Sequence, residues 1–80
     1  MKIEVVGTGC PKCNLLEQAA RSAADKLGLA YELEHVKDFR EFAKRGVMFT
    51  PALLIDGKIV VAGKVPSEAE LSKLLSQAVG

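Results

Sequence analysis

Gly7-Thr8-Gly9-Cys10-Pro11-Lys12-Cys13 decides the fold of this 80-residue chain. Just upstream, Ile3 to Val6 is a short β-rich run, and the glycines end it in a tight loop. Downstream, Pro11 suits the first position of a helix, because the N–H it lacks would have no partner there. Cys13, Leu16, Ala20, Ala24 and Leu27 then repeat at helical spacing, and Gly28 stands where a helix ends. Glu17/Arg21 and Arg21/Asp25 add opposite-charge pairs one turn apart. The stretch is therefore a strand-to-helix turn that carries two thiols.

The same signals continue along the chain. Ala30 to Val36 alternates Tyr31 and Leu33 on one face with Glu32 and Glu34 on the other, as an edge strand does. Asp38 with Glu41 opens a second, shorter helix whose Phe39, Phe42 and Ala43 share a face and which Gly46 ends. Ala52-Leu53-Leu54-Ile55 and Ile59-Val60-Val61-Ala62 flank Asp56-Gly57, a strong two-residue hairpin signal. Ser67 with Glu70 caps a last helix striped by Leu71, Leu74, Leu75 and Ala78. The order β-α-β-α-β-β-α predicts an α/β fold, with helices on both faces of a four-stranded mixed sheet. A right-handed parallel β-α-β unit begins it and an antiparallel hairpin completes the sheet. No repeat or linker divides the chain, so residues 1–80 form a single domain.

Composition narrows the function. Eleven basic side chains against ten acidic ones give a net charge of +1, which provides no footprint for nucleic acid or anionic lipid. No apolar run approaches the ~18 residues of a membrane span, and Met1-Lys2-Ile3-Glu4 does not open like a secretory signal. The expectation is a cytoplasmic monomer. Small domains often use disulfides as staples, but a loop as short as Cys10–Cys13 contributes about 2 kcal/mol, where a 60-residue loop would give about 4. The hydrophobic fraction of 49% is ordinary for a soluble domain. The two cysteines are better placed to react than to brace.

Their positions assign roles. Cys10 falls at the N-cap of the first helix, facing the unpaired N–H groups of Lys12 and Cys13 and the positive helix end, which favour a thiolate. A lowered pKa raises the thiolate fraction, reduces intrinsic nucleophilicity, and above all makes Cys10 a better leaving group. Cys10 is thus the expected nucleophile. Cys13, one turn further in and more covered, is the expected resolving thiol. Structural zinc wants four ligands, whereas the chain has two cysteines and one histidine, so no metal is assigned. Copper(I) is the rival, since two thiolates suffice for it. Small copper chaperones, however, resemble a β-α-β-β-α-β chain with Met two places before the first cysteine, where this chain has Thr8.

Pro51 opens the third strand, a position open to any proline. Beside a Cys-x-x-Cys in this order of elements, the sharper expectation is a cis Thr50–Pro51 bond that turns the Thr50 backbone toward a substrate chain. Gly9 lets a partner's backbone approach the sulfurs, and Pro11 and Lys12 complete the expected contact set. Glu4 shares a strand face with Lys2, which reads as a wet face. His35, at the far end of an edge strand, reads as a surface residue. Neither is assigned a proton-transfer role.

Taken together, Gly7 to Cys13, Gly46-Val47-Met48-Phe49-Thr50-Pro51-Ala52 and Asp56-Gly57 resemble the thioredoxin fold over essentially the whole chain. The likeness is strongest to small redox-active disulfide proteins of the glutaredoxin-like thioredoxin group. That resemblance implies a three-layer sandwich, a Cys10–Cys13 disulfide that cycles with a dithiol and needs no other cofactor, and a cis Pro51 packed against it. It also implies disulfide-bearing protein substrates. Glutaredoxins usually show an aromatic where Lys12 stands, Thr-Val-Pro where Thr50-Pro51 stands, and Gly-Gly followed by an acid where Gly63-Lys64 stands. These departures make glutathione a doubtful donor, and electrons are expected from a thioredoxin-reductase-like flavoprotein or a ferredoxin-linked enzyme.

Overall fold

A computed structural model describes residues 1–8 and 11–79. The elements are β1 (Lys2–Val6), α1 (Pro11–Lys26), β2 (Glu32–Val36), α2 (Phe39–Lys44), β3 (Ala52–Ile55), β4 (Lys58–Ala62) and α3 (Glu68–Val79). This is the order the sequence predicts. The strands form one four-stranded sheet in the order β2-β1-β3-β4. β1 runs parallel to β2 and antiparallel to β3, and β3 is antiparallel to β4. β1 is therefore central, and it delivers the chain directly to the thiol-bearing loop.

Alternation along β1 builds the layers, because successive side chains point to opposite faces. Ile3 and Val5 pack with Leu16, Ala20, Ala23 and Ala24 of α1 and Leu71 and Leu75 of α3 in the larger core. Val6 points the other way and packs with Val36, Val47, Ala52 and Leu54, with Phe42 of α2 against them. The small residues of α1 let that helix lie close to the sheet, and helices on both sides make the sandwich three layers deep. Among the described residues no helix is long and apolar enough to cross a membrane.

The terminators Gly28 and Gly46, at φ 68° and 73°, and the caps at Asp38 and Ser67 are in place, whereas the N-cap expected at Cys10 lies outside the described residues. Asp38 Oδ1 accepts from the Arg40 amide at 3.0 Å, and Ser67 Oγ accepts from the Glu70 amide at 3.2 Å. Asp56 and Gly57 take φ of 51° and 84°, the left-handed pair that a type I′ hairpin turn requires. Asp56 also fastens the turn to the sheet, since its Oδ1 accepts from the Lys2 amide at 2.8 Å.

Two expectations are corrected here. The face of Glu4 is not wet: Lys2 reaches solvent at the strand start, but Glu4 is only 6% exposed. Its Oε2 accepts from Arg45 Nε at 2.7 Å. Nor is His35 a surface residue, because its side chain is 11% exposed and Nδ1 lies 3.1 Å from Glu17 Oε1. The Glu17 side chain of α1 reaches the edge strand at this point.

Helices α1 and α3 are also joined by Glu68, whose Oε1 lies 2.6 Å from Lys26 Nζ and accepts from Ser22 Oγ at 3.2 Å. The Lys26 hydrogen bond, followed by that of Ser22, holds the Glu68 carboxyl below the usual carboxylate range. A carboxyl lowered on folding stabilises the native state above its unfolded value and loses that contribution as pH falls through the folded one. Thermal melts should therefore show a midpoint that declines on acidification below about pH 4.3, and less steeply in Glu68→Gln. An equally steep decline in the variant would exclude this contact as a source of acid sensitivity.

Candidate active site

Pro11 begins α1, and Cys13 follows in its first turn with no exposed surface. What lies behind the sulfur is a glycine. A side-chain carbon built on Gly7 would overlap Cys13 Sγ, stand 3.2 Å from Cys13 Cβ and lie 4.0 Å from Pro51 Cα. The end of β1, the first turn of α1 and the start of β3 thus meet at one point. Gly7 is tied to the sheet as well, its amide donating to the Val36 carbonyl at 2.9 Å.

The Thr50–Pro51 bond is cis. Pro51 is buried and Thr50, just before it, is exposed. Gly63, at φ 76°, holds the bend from the far side, its amide donating to the Pro51 carbonyl at 2.8 Å. A side chain at Gly63 would meet Phe49 Cβ at 3.3 Å, so the close approach of these two segments also needs a glycine. Met48 and Phe49, 85% and 65% exposed, precede the bend as an apolar shoulder.

Of the residues expected at the site, Cys13 and Pro51 converge on Gly7, Thr50 adjoins them, and Pro11 and Lys12 are exposed at the helix mouth. Gly9 and Cys10 lie outside the described residues. Gly7 and Gly63 carry structural duties that the sequence does not disclose. A glycine before a cysteine reads as loop flexibility, whereas Gly7 is a seat for the Cys13 sulfur. Gly63 carries no local sign that its amide reaches Pro51.

Glu4 and Arg45 meet on the opposite face of the sheet, three residues before Gly7 in β1's direction, with Glu4 Oε2 2.7 Å from Arg45 Nε. Arg45 Nη1 also bonds Glu41 Oε1 at 2.9 Å and the Glu41 carbonyl at 3.3 Å. The hydrogen bond from Glu4, then that from Glu41, pushes the Arg45 guanidinium above its ordinary value. The residue that ends α2 is thereby fastened to the strand that ends at Gly7. The chain that follows Arg45 runs through Val47, buried in the smaller core, to the cis proline.

A covered thiol in the first turn of α1, packed on the strand before it and across from a cis proline, is the arrangement of thioredoxin-fold proteins, whose chemistry is thiol–disulfide exchange. Residues 1–76 match the thioredoxin domain family, and the chain belongs to it. It is similar to a thioredoxin of Methanothermobacter thermautotrophicus, with 40% identity over 76 residues that span 95% of this chain and 99% of that protein. It is also similar to a thioredoxin of Methanocaldococcus jannaschii, 40% identical over 73 residues that span 91% of this chain and 84% of that protein. The chain is accordingly a thiol–disulfide oxidoreductase of the thioredoxin family.

Proposed function

We propose that the chain carries electrons through a Cys10–Cys13 dithiol/disulfide, in the cytoplasm, by mixed-disulfide exchange with disulfide-bearing proteins. The observation that carries this reading is the complete burial of Cys13 against Gly7, a glycine that the cis proline also borders. A thiol so covered cannot meet a bulky partner first, but it can close on a sulfur one turn away. In the reducing direction Cys10, as thiolate, attacks the partner's disulfide, forming one S–S bond and expelling one partner thiolate. Cys13 then loses its proton and attacks Cys10, the mixed disulfide breaks, and the second partner sulfur leaves with the electron pair. Thr50, exposed before the cis bond, offers its backbone to the partner strand, with the exposed Pro11 and Lys12 and the expected contact Gly9 completing the substrate-binding set.

Closing the cycle requires a reductant for the disulfide. A thioredoxin-reductase-like flavoprotein or a ferredoxin-linked enzyme fills that place, and the missing Val before Pro51 and the single glycine at Gly63-Lys64 argue against glutathione. The copper(I) alternative loses ground on the fold, because the observed order β-α-β-α-β-β-α differs from the order that reading required.

Equilibration in dithiothreitol buffers of defined potential tests the reading, with a Cys10–Cys13 disulfide expected to form and break reversibly. Cys13→Ser should trap a mixed disulfide on Cys10, and Cys10→Ser should trap none. The opposite pattern would exchange the two roles. Failure to form the disulfide at any accessible potential, together with tight one-to-one copper(I) binding, would replace the redox reading by the metal one.

A further inference from the structure

His35 is the only histidine of the chain. It pairs with Val5 in the β2/β1 register. Leu33, two residues earlier, packs against the larger core, so the imidazole lies on the α1 side of the sheet. Glu17 Oε1 stands 3.1 Å from Nδ1. An ionised carboxylate can only accept, so in the neutral imidazole the hydrogen sits on Nδ1 and Nε2 keeps its lone pair. Nε2 is buried and has no hydrogen-bond partner among the described residues. An orphaned buried acceptor is kept at a cost in free energy, and its presence calls for a reason.

Its place in the fold suggests one. Helix α1 runs back along the sheet from its first turn, where Cys13 sits on Gly7, to the next, where Glu17 meets His35 beside Val5. Four residues along a helix are about 6 Å, and two along a strand about 6.5 Å. The Glu17–His35 pair is therefore the layer directly beneath Cys13. Glu17 of α1 faces the imidazole, Arg21 Nε stands behind it at 3.9 Å from Glu17 Oε2, and β1 presents the apolar Val5. Glu4, the other buried ionisable side chain near the site, lies on the far face and is occupied by Arg45. Among the described residues His35 alone offers a buried base on the face of Cys13.

We infer that His35, oriented by Glu17, accepts the proton of Cys13, through one water, when that thiol closes on the mixed disulfide. The inference rests on the exchange reading above. In the step, the S–H proton of Cys13 passes to Nε2 and its sulfur bonds to Cys10. The bond from Cys10 to the partner breaks, and the partner sulfur leaves as thiolate with the electron pair. Glu17 holds the resulting imidazolium, which returns the proton to Cys13 when the disulfide is reduced again.

Reaction with 5,5′-dithiobis(2-nitrobenzoate) separates the two steps, since Cys10 attack releases one chromophoric thiolate and Cys13 closure a second. His35→Gln should slow the second release at least about tenfold near neutral pH, while the first release keeps its rate. Glu17→Gln, at a partly exposed position, should slow the second release several-fold and leave the first unchanged. An unchanged second release in either variant, or equal slowing of both releases in folded His35→Gln, would overturn the inference. A wild-type protein that gives the first release and never the second would instead overturn the exchange reading beneath it.

Discussion

Replacing Arg45 by methionine should cost about 3 kcal/mol of folding stability, the low end for breaking a buried ion pair. Glu4 is 6% exposed, and the guanidinium supplies its hydrogen bond at 2.7 Å. Without it a carboxylate stays in the smaller core with its desolvation uncompensated. The low end applies because Arg45 itself is 22% exposed, so water can reach part of the gap. For a domain of this size each kcal/mol moves the thermal midpoint by roughly 4–8 °C, so a fall of about 12–24 °C is expected. Glu4→Leu combined with Arg45→Met should recover most of the loss, since apolar side chains of similar volume replace both charges. Melting curves for the two singles and the double decide the matter. A double variant as unstable as Arg45→Met would show that the guanidinium matters through Glu41 and the end of α2, and not through Glu4.

Why that pair escaped the sequence is a matter of range. The order of elements, the caps at Asp38 and Ser67 and the Asp56-Gly57 turn were legible because each rests on residues within one or two turns of one another. Glu4 and Arg45 are 41 positions apart, and nothing local marks them as partners. Lys2, two residues before Glu4, misled for the same reason: it sits at the open end of the strand and pairs with Glu34 at 3.6 Å, still half exposed. One shared face thus runs from solvent to core within three residues. His35 is a different case. The alternation that put Glu32 and Glu34 outside already put Leu33 and His35 inside, so the signal was present, and the supposed openness of an edge strand hid it. The cover comes from Glu17 of α1, and the reach of that helix over β2 is a tertiary fact. Cys13 and Pro51 were legible as chemistry, but their meeting point was not.

That meeting point is Gly7, and its substitution by alanine should be the most damaging single-carbon change in the chain. The added carbon would overlap Cys13 Sγ and press on Cys13 Cβ at 3.2 Å, so the first turn of α1 must lift away from β1. Overpacking a closed site costs typically about 1–3 kcal/mol, and the upper half is expected because all three walls are covered backbone or core. The functional loss should be larger than the stability loss implies. A shift of about 1 Å at reacting groups can cost about a hundredfold in rate, and the proposed exchange requires Cys13 to line up with Cys10. Gly28→Ala is the control: φ is 68° there and nothing lies within 4 Å of the added carbon, so it should lose stability through backbone strain and leave exchange intact. The decisive measurement is a double-mutant cycle with Cys13→Ala. If the cost of Gly7→Ala is collision with the sulfur, removing the sulfur should return about 1–2 kcal/mol as coupling between the two sites. Additive losses would mean that Gly7 serves the bend of the chain and not the seat of the thiol. Exchange kinetics alone could not make that distinction, because Cys13→Ala abolishes closure whatever stands at position 7, so the cycle has to be read in stability.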